Sequence, residues 1–254
     1  MLPAVVMAAG LGTRLRPLTE RFAKPLLPID GRPVLARLLR DLADAGCRDV
    51  TVVVGHLAEQ VQRLAGDGAA FGLSIRYARQ AGPNGSADAV VAAQARPPYL
   101  VLGADTVFAA GDVGRFAAAF RADSAAAGAV AVRAGRKEDG TAGVRLRAGA
   151  VERLLDAGTG VVAAPLWAVG PGIAGRIESL PGSAPFELAV AFQQAIDAGE
   201  RVAGIEIGPT RDLTTPEDLL MENFTYLRAL GGAGSTEPPQ RAEAPALAAP
   251  EREP

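Results

Sequence analysis

Among 254 residues the chain has one histidine, His56, one cysteine, Cys47, and one tryptophan, Trp167. A lone thiol cannot form an internal disulfide. The sequence also lacks an excess of either charge: 26 Lys and Arg stand against 28 Asp and Glu, for a net charge of −2. No basic cluster interrupts that balance, so there is no electrostatic footprint for nucleic acid. No apolar run approaches the ~18–20 residues that a membrane span needs. The chain enters a strand at once, without a charged leader and cleavage site, so export is not expected. Together with the single cysteine these absences point to the cytoplasm. Internal repeats, including hexapeptide repeats, are missing too, so no β-helix domain is expected. What remains, 49% hydrophobic and 21% charged residues, is ordinary for a globular chain long enough to bury a sizeable core.

The first half alternates strand-like and helix-like segments. Residues 2–7 read as a strand, 33–45 as a helix opened by proline and stopped at Gly46, and 50–54 as a valine-rich strand. Residues 57–64 are helical, 73–78 alternate like a strand, 86–95 are helical and 99–102 form an apolar strand, with a further helix near 112–120. This alternation predicts an α/β fold with a mostly parallel sheet covered on both faces. Short strands follow at 129–133, 143–147, 151–155 and 161–169, close together and separated by glycine turns, which predicts an antiparallel extension. Helices are expected at 185–198 and 216–230, with a strand at 202–207 between them. Residues 1–230 read as one domain and 231–254, rich in Gly, Ala, Pro and Glu, as a disordered tail.

The most informative stretch is residues 8–28, AAGLGTRLRPLTERFAKPLLP. Gly10 and Gly12 follow a buried strand, and Arg14 and Lys24 stand beside them. Glycines let backbone N–H groups approach phosphate oxygens, and an Arg fork with a Lys point charge suits a triphosphate. A Walker-type loop needs Gly-Lys-Ser/Thr, and Lys24 lies too far along. A dinucleotide fingerprint needs a third glycine where Leu15 stands.

GLGTRLRPLT followed by AKPLLPIDGRPVL resembles the signature of the nucleoside-diphosphate-sugar pyrophosphorylases, the sugar-1-phosphate nucleotidyltransferases. The resemblance continues through the order of further motifs to about Asn223. It implies a Rossmann-like three-layer nucleotidyltransferase fold and transfer of a nucleotidyl group from an NTP to a phosphorylated small-molecule acceptor. Ala8, Ala9, Gly10, Gly12 and Thr13 would wrap the triphosphate, Arg14 would hold its β- and γ-phosphates, and Lys24 would sit near the α-phosphate. Gln80, Gly85 and Ser86 would meet a pyrimidine base, favouring UTP or dTTP; a Gln amide offers a donor and an acceptor to the imide edge. Asp105 and Asp212 would hold Mg²⁺, which uses one or two carboxylates plus phosphate oxygens. Dimers are common in the family, so a homo-oligomer is compatible with the resemblance.

Other residues carry local readings. Ser86 is placed to cap the helix that it opens, while Thr215 and Pro216 are placed as the N-cap and first residue of the last helix. His56 reads as a polar residue of a strand-to-helix turn, Cys47 as a buried inert thiol and Trp167 as core. The expected chemistry needs no general base, since a sugar-1-phosphate is already anionic.

The acceptor half departs from the family pattern. Its usual Glu-Lys-Pro is replaced by Asp156-Ala157-Gly158, which keeps a carboxylate and loses the lysine. Gly143 keeps the small residue that lets a sugar approach, and Thr210 stands where an aromatic is usual. Three functions follow: a sugar-1-phosphate uridylyl- or thymidylyltransferase with glucose-1-phosphate as default acceptor, a transferase for a non-sugar phosphomonoester such as phosphocholine, or a non-catalytic nucleotide binder. Retention of both metal aspartates argues against the last.

Overall fold

The AVVMA run forms β1 (Ala4–Ala8), and its alternation sorts the core into two layers. In the computed structural model, which describes residues 2–135, 143–154 and 160–224, Val6 packs into one hydrophobic cluster and Val5 into another. The chain continues through α1 (Leu18–Arg21), the hairpin β2 (Pro28–Ile29) and β3 (Arg32–Pro33), α2 (Val34–Asp44), β4 (Asp49–Val54), α3 (Ala58–Ala65), β5 (Ser74–Arg79) and α4 (Ser86–Ala93). Next come β6 (Tyr99–Gly103), β7 (Thr106–Val107), α5 (Asp112–Ala122), β8 (Gly128–Ala134), β9 (Val144–Arg147), β10 (Ala150–Leu154) and β11 (Val161–Val169). The described chain closes with α6 (Pro171–Glu178), α7 (Leu188–Asp197), β12 (Val202–Glu206), β13 (Arg211–Asp212) and α8 (Pro216–Asn223). The segment read as a tail lies outside the described residues, as does Asp156.

Among the described residues nine strands form the main sheet in the order β5-β4-β1-β6-β11-β8-β12-β10-β9. β5, β4, β1 and β6 are parallel. β11 runs against both β6 and β8, β12 is parallel to β8, and β10 and β9 add an antiparallel edge. The fold is the mostly parallel α/β sheet with an antiparallel extension that the sequence pattern predicts. Leucines of α2 and Phe116 and Phe120 of α5 cover one face, together with Val61 of α3. Val90 of α4, Ile173 and Ile177 of α6 and Phe192 of α7 cover the other. Because both faces are buried, β1 and β6 are unbroken apolar runs, and β4 after its first residue is interrupted only by Thr51. Trp167 belongs to this core, its ring centroid 4.8 Å from that of Phe192.

Several elements differ from the sequence reading. α6 was not anticipated, because Gly172 and Gly175 lower helix propensity; burial of Ile173, Ala174 and Ile177 forms it instead. α7 starts at Leu188 rather than 185, since the preceding residues are extended and pair with the loop before α4. Phe186 N–H donates to the Asn84 carbonyl (2.7 Å) and Ala87 N–H to the Phe186 carbonyl (2.8 Å). Ser86 does not cap α4, whose N-cap is Gly85; its hydroxyl accepts from Leu188 N–H (2.9 Å) and so serves the start of α7. Thr215 and Pro216 do begin α8, with a capping box between Thr215 and Asp218.

Cys47 is buried, and desolvation pushes its thiol up to about 11, as suits an inert core residue. Asp41 shows a different strain. Burial, then the neighbouring Asp44, raises its carboxyl to about 6, and the last turn of α2 is a poor place for negative charge. A folded-state value raised above the unfolded one favours folding at low pH, and that contribution is lost as pH rises through about 6. Asp41→Asn is therefore expected to raise the thermal midpoint by a few degrees at pH 8, about 1 kcal/mol after screening. Below pH ~4 melting curves of the two proteins should coincide; an equal gain at both pH values would contradict the assignment.

Candidate active site

The carboxyl ends of β1, β4, β5, β6 and β8 open onto one edge of the sheet, where α/β folds gather ligands. The signature loop lies across this edge, and it is less open than its three prolines suggest. It contains 3₁₀ turns at Thr13–Leu15 and Lys24–Leu26 on either side of α1. A small third core holds it down: Leu15, Leu27, Ile29 and Val34 pack with Val107 of β7 and Leu213 beyond β13. Gly12 has φ +61, and a Cβ there would stand 2.8 Å from Thr19 Cγ2. Thr19, fully buried, donates its hydroxyl to the Gly12 carbonyl (2.8 Å). Gly12 is thus required by packing inside the loop, whereas Gly10 is open to the cleft.

Side chains from the β4–α3 turn and from α3 anchor the same loop. His56 Nε2 donates to the Thr19 carbonyl (2.7 Å). Gln60 accepts from Ala23 N–H (2.9 Å) and donates to the Arg21 carbonyl (2.7 Å). These bonds fix the residue next to Lys24. Lys24 Nζ then donates to Asp105 Oδ2 at 2.5 Å, with the lysine side chain only 16% exposed.

Asp212 reaches the same place through β13, which pairs with β7 so that Asp212 lies opposite Thr106, next to Asp105 in sequence. Thr106 and Thr210 donate their hydroxyls to its two oxygens at 2.5 and 2.8 Å. Burial raises the Asp212 carboxyl, as does the charge of Asp105, while the two threonines and Arg133 oppose the rise. Arg211 steadies β13 from the other side, gripping Asp30 of the β2–β3 turn with Nη1 and Nη2 (2.5 and 2.8 Å) and also bonding Glu222 of α8.

Asp105 and Asp212 stand as a pair of carboxylates at this edge. Among the described residues no group of three or more His, Cys, Asp or Glu side chains that could hold a metal ion is gathered. The pair by itself suits Mg²⁺, which would use one or two carboxylates with substrate phosphates and water completing its shell.

Further along the edge, Gln80 is buried and its amide nitrogen donates to the Gly85 carbonyl (3.0 Å) and to Asp88 Oδ2 (2.9 Å). Both partners are acceptors, so the nitrogen must face them and Oε1 must face away. The side chain presents an acceptor only, not the donor-acceptor pair expected of a free Gln amide. Gly85, at φ +100, presses against the chain before α7: a Cβ would lie 2.3 Å from the Phe186 carbonyl oxygen. Ser86 donates to Glu187 Oε2 (2.6 Å). Ala8 and Ala9 are buried, and Thr13 and Arg14 are exposed on the loop. Gly143 is buried and bridges Val162 of β11.

The structure therefore brings Lys24, Asp105 and Asp212 together, with Gln80, Gly85 and Ser86 in a second group. The sequence reading did not find Thr19, His56 as a loop anchor, Gln60, Asp88, Arg133 or Arg211. Thr19 closes the quoted GLGTRLRPLT signature but gives no sign of its bond to Gly12, and His56, Gln60 and Arg211 act on partners distant in sequence.

Fold and site define an α/β protein whose ligand edge offers cations and a carboxylate pair. The family model for nucleotidyl transferase matches residues 3–146, more than half of the chain. The chain belongs to this nucleotidyl transferase family, in line with the resemblance carried by its signature loop. It is 48% identical over 92 residues to a glucose-1-phosphate thymidylyltransferase of Streptomyces antibioticus, covering 36% of this chain and 26% of that protein. It is 41% identical over 128 residues to a CMP-5'-(3-aminopropyl)phosphonate synthase of Streptomyces rubellomurinus, covering 49% of this chain and 20% of that protein. The aligned parts thus span about a quarter or less of these curated relatives. A UDP-glucose pyrophosphorylase structure shares the fold, with TM-score 0.76 at 17% identity over 90% of this chain and 99% of that one. No described helix is long and apolar enough to cross a membrane.

Proposed function

We propose that the chain catalyses Mg²⁺-dependent transfer of a nucleotidyl group from UTP or dTTP to a sugar-1-phosphate, with glucose-1-phosphate as the default acceptor, releasing pyrophosphate. The observation that carries this reading is the Lys24–Asp105 pair beside Asp212, held under a glycine loop at the strand ends. Phosphoryl-type transfer depends on positioning and charge neutralisation rather than on covalent help from the protein. Without nucleotide, Lys24 and Asp105 neutralise one another. With it, Lys24 is free to turn to the α-phosphate, and the carboxylate to hold a cation, without leaving a buried charge unmatched. Bound Mg²⁺ would supply charge stabilisation at the phosphates. Arg14, exposed on the loop, faces the β- and γ-phosphates and stabilises departing pyrophosphate.

Gln80 supports the choice of base. An amide locked as an acceptor suits the N3–H of uracil or thymine, while cytosine has an acceptor at that position and repels it. Asp88→Ala removes one of the two groups that lock the amide. It is expected to raise KM for UTP or dTTP about five- to tenfold and to narrow discrimination against CTP. Unchanged base selectivity would show that Gln80 does not read the base. The names of the relatives, which include glucose-1-phosphate and UDP-glucose, support the acceptor.

The test is pyrophosphate release across UTP, dTTP, CTP, ATP and GTP paired with glucose-1-phosphate, other sugar-1-phosphates and phosphocholine. Turnover should be greatest with UTP or dTTP and a sugar-1-phosphate, and should vanish on chelation of Mg²⁺. Nucleotide binding without turnover for any pair would overturn the reading.

A further inference from the structure

We propose that Arg133 is the acceptor-phosphate ligand: a phosphomonoester dianion docks on its guanidinium at the carboxyl end of β8, across the aspartate pair from the signature loop. This rests on the nucleotidyl-transfer reading of the site and names the group that receives the second substrate.

Arg133 is held in place but poorly satisfied. Its Nη1 donates to the Ala134 carbonyl at 3.3 Å, and Nη2 stands 3.9 Å from Asp212 Oδ2, beyond hydrogen-bond reach. Its Nε is buried and has no partner. A residue serving only as the counterion of Asp212 would close that gap and bond the carboxylate, as Thr106 and Thr210 already do. Nε is closed off from solvent, but the side chain as a whole is 25% exposed, so a ligand would meet the guanidinium at its Nη edge, where a charged donor gains most from an anionic acceptor. The planar fork of Arg matches two oxygens of a phosphate.

Position supports the same role. In the sheet order β1-β6-β11-β8, the signature loop follows β1, Asp105 follows β6, and Arg133 ends β8 two strands further on. At about 4.8 Å per strand that is roughly 10 Å beyond Asp105, with Asp212 near both. Displacement at the α-phosphorus requires the attacking and leaving oxygens on opposite sides. The loop and its cations flank the leaving side, so Arg133 flanks the side of attack. An oxygen of the acceptor phosphate forms the new bond to the α-phosphorus. The bond to the bridging oxygen breaks, and its electron pair departs with pyrophosphate. The attacking oxygen is already anionic, so no proton has to be removed, and Arg133 holds the nucleophile without reacting.

The experiment compares wild type, Arg133→Lys and Arg133→Met at saturating Mg²⁺, reading KM separately for NTP and glucose-1-phosphate, with calorimetric binding of glucose-1-phosphate alone. For Arg133→Met the acceptor KM should rise about 10- to 100-fold while KM for NTP stays within about twofold, and Arg133→Lys should fall between. Calorimetry should show the same order of weakening. A merely structural role would lower kcat or raise KM for NTP and leave the acceptor KM in place; that result overturns the proposal while transfer itself stands. If wild type fails to turn over, the transferase reading fails, and binding alone decides. Loss of glucose-1-phosphate binding on removing Arg133 would support the phosphate site, whereas equal or absent binding in both proteins would overturn it.

Discussion

Asp105→Asn is expected to cut Mg²⁺-dependent pyrophosphate release by at least about a hundredfold while leaving the thermal midpoint within a few degrees of wild type. The substitution keeps the shape of the side chain at the end of β6 but removes its charge. In the resting protein this strips Lys24 of its partner, 2.5 Å away. In the proposed complex it halves the carboxylate pair that holds the cation. A lysine at the site offsets part of the first loss by remaining hydrated or shifting to phosphate, so the effect falls on turnover rather than on folding. Rates measured against Mg²⁺ concentration should show a weakened metal dependence as well as a lower ceiling. Near-normal turnover, with unchanged metal dependence, would remove Asp105 from the metal site.

The second large effect is expected in stability. Gly85→Ala forces a residue with a Cβ into φ +100 and drives that carbon to 2.3 Å from the Phe186 carbonyl oxygen. Positive-φ strain and overpacking together should destabilise the fold by about 3–5 kcal/mol, lowering the midpoint by roughly 10 °C. The damage spreads because the same backbone contact carries the bonds from Phe186 N–H to Asn84 and from Ala87 N–H to Phe186. It would also pull the Gly85 carbonyl from the Gln80 amide. A variant that melts like wild type yet binds nucleotide weakly would show that Gly85 serves the base alone and not the packing.

Gly85 illustrates what was legible in the chain and what was not. Strand and helix periodicity gave the layers, because residues such as Val5 and Val6 must face opposite sides of a buried strand. The 161–169 strand coincides with β11. α6 escaped because its two glycines hide a helix that only tertiary packing stabilises. At the site, the glycine loop, Arg14 and Lys24 stood out as residue types suited to phosphate, while Asp105 and Asp212 were picked out by the family resemblance. Their supports did not: His56 and Gln60 act through backbone carbonyls and amides of a segment 37 residues earlier, and Arg211 binds Asp30 across 181 residues. A side chain that bonds to backbone leaves no pattern for periodicity to detect. The glycines were legible as positions needing freedom, but their reasons differ. Gly12 yields to Thr19 and Gly85 to Phe186, while Gly10 alone among these three faces open space. Thr210, a departure from the family pattern, supplies a hydrogen bond to Asp212 that no spacing argument foresees.

The central claim is attack at the α-phosphorus, and its most direct measurement follows a label from that atom. The protein is incubated with Mg²⁺, glucose-1-phosphate and dTTP or UTP carrying ³²P at the α-position, and the products are separated. The account predicts that the label moves into a nucleoside-diphosphate sugar in step with unlabelled pyrophosphate. Label found instead in a free nucleoside diphosphate, or left in the triphosphate while Gln80-dependent nucleotide binding persists, would contradict it.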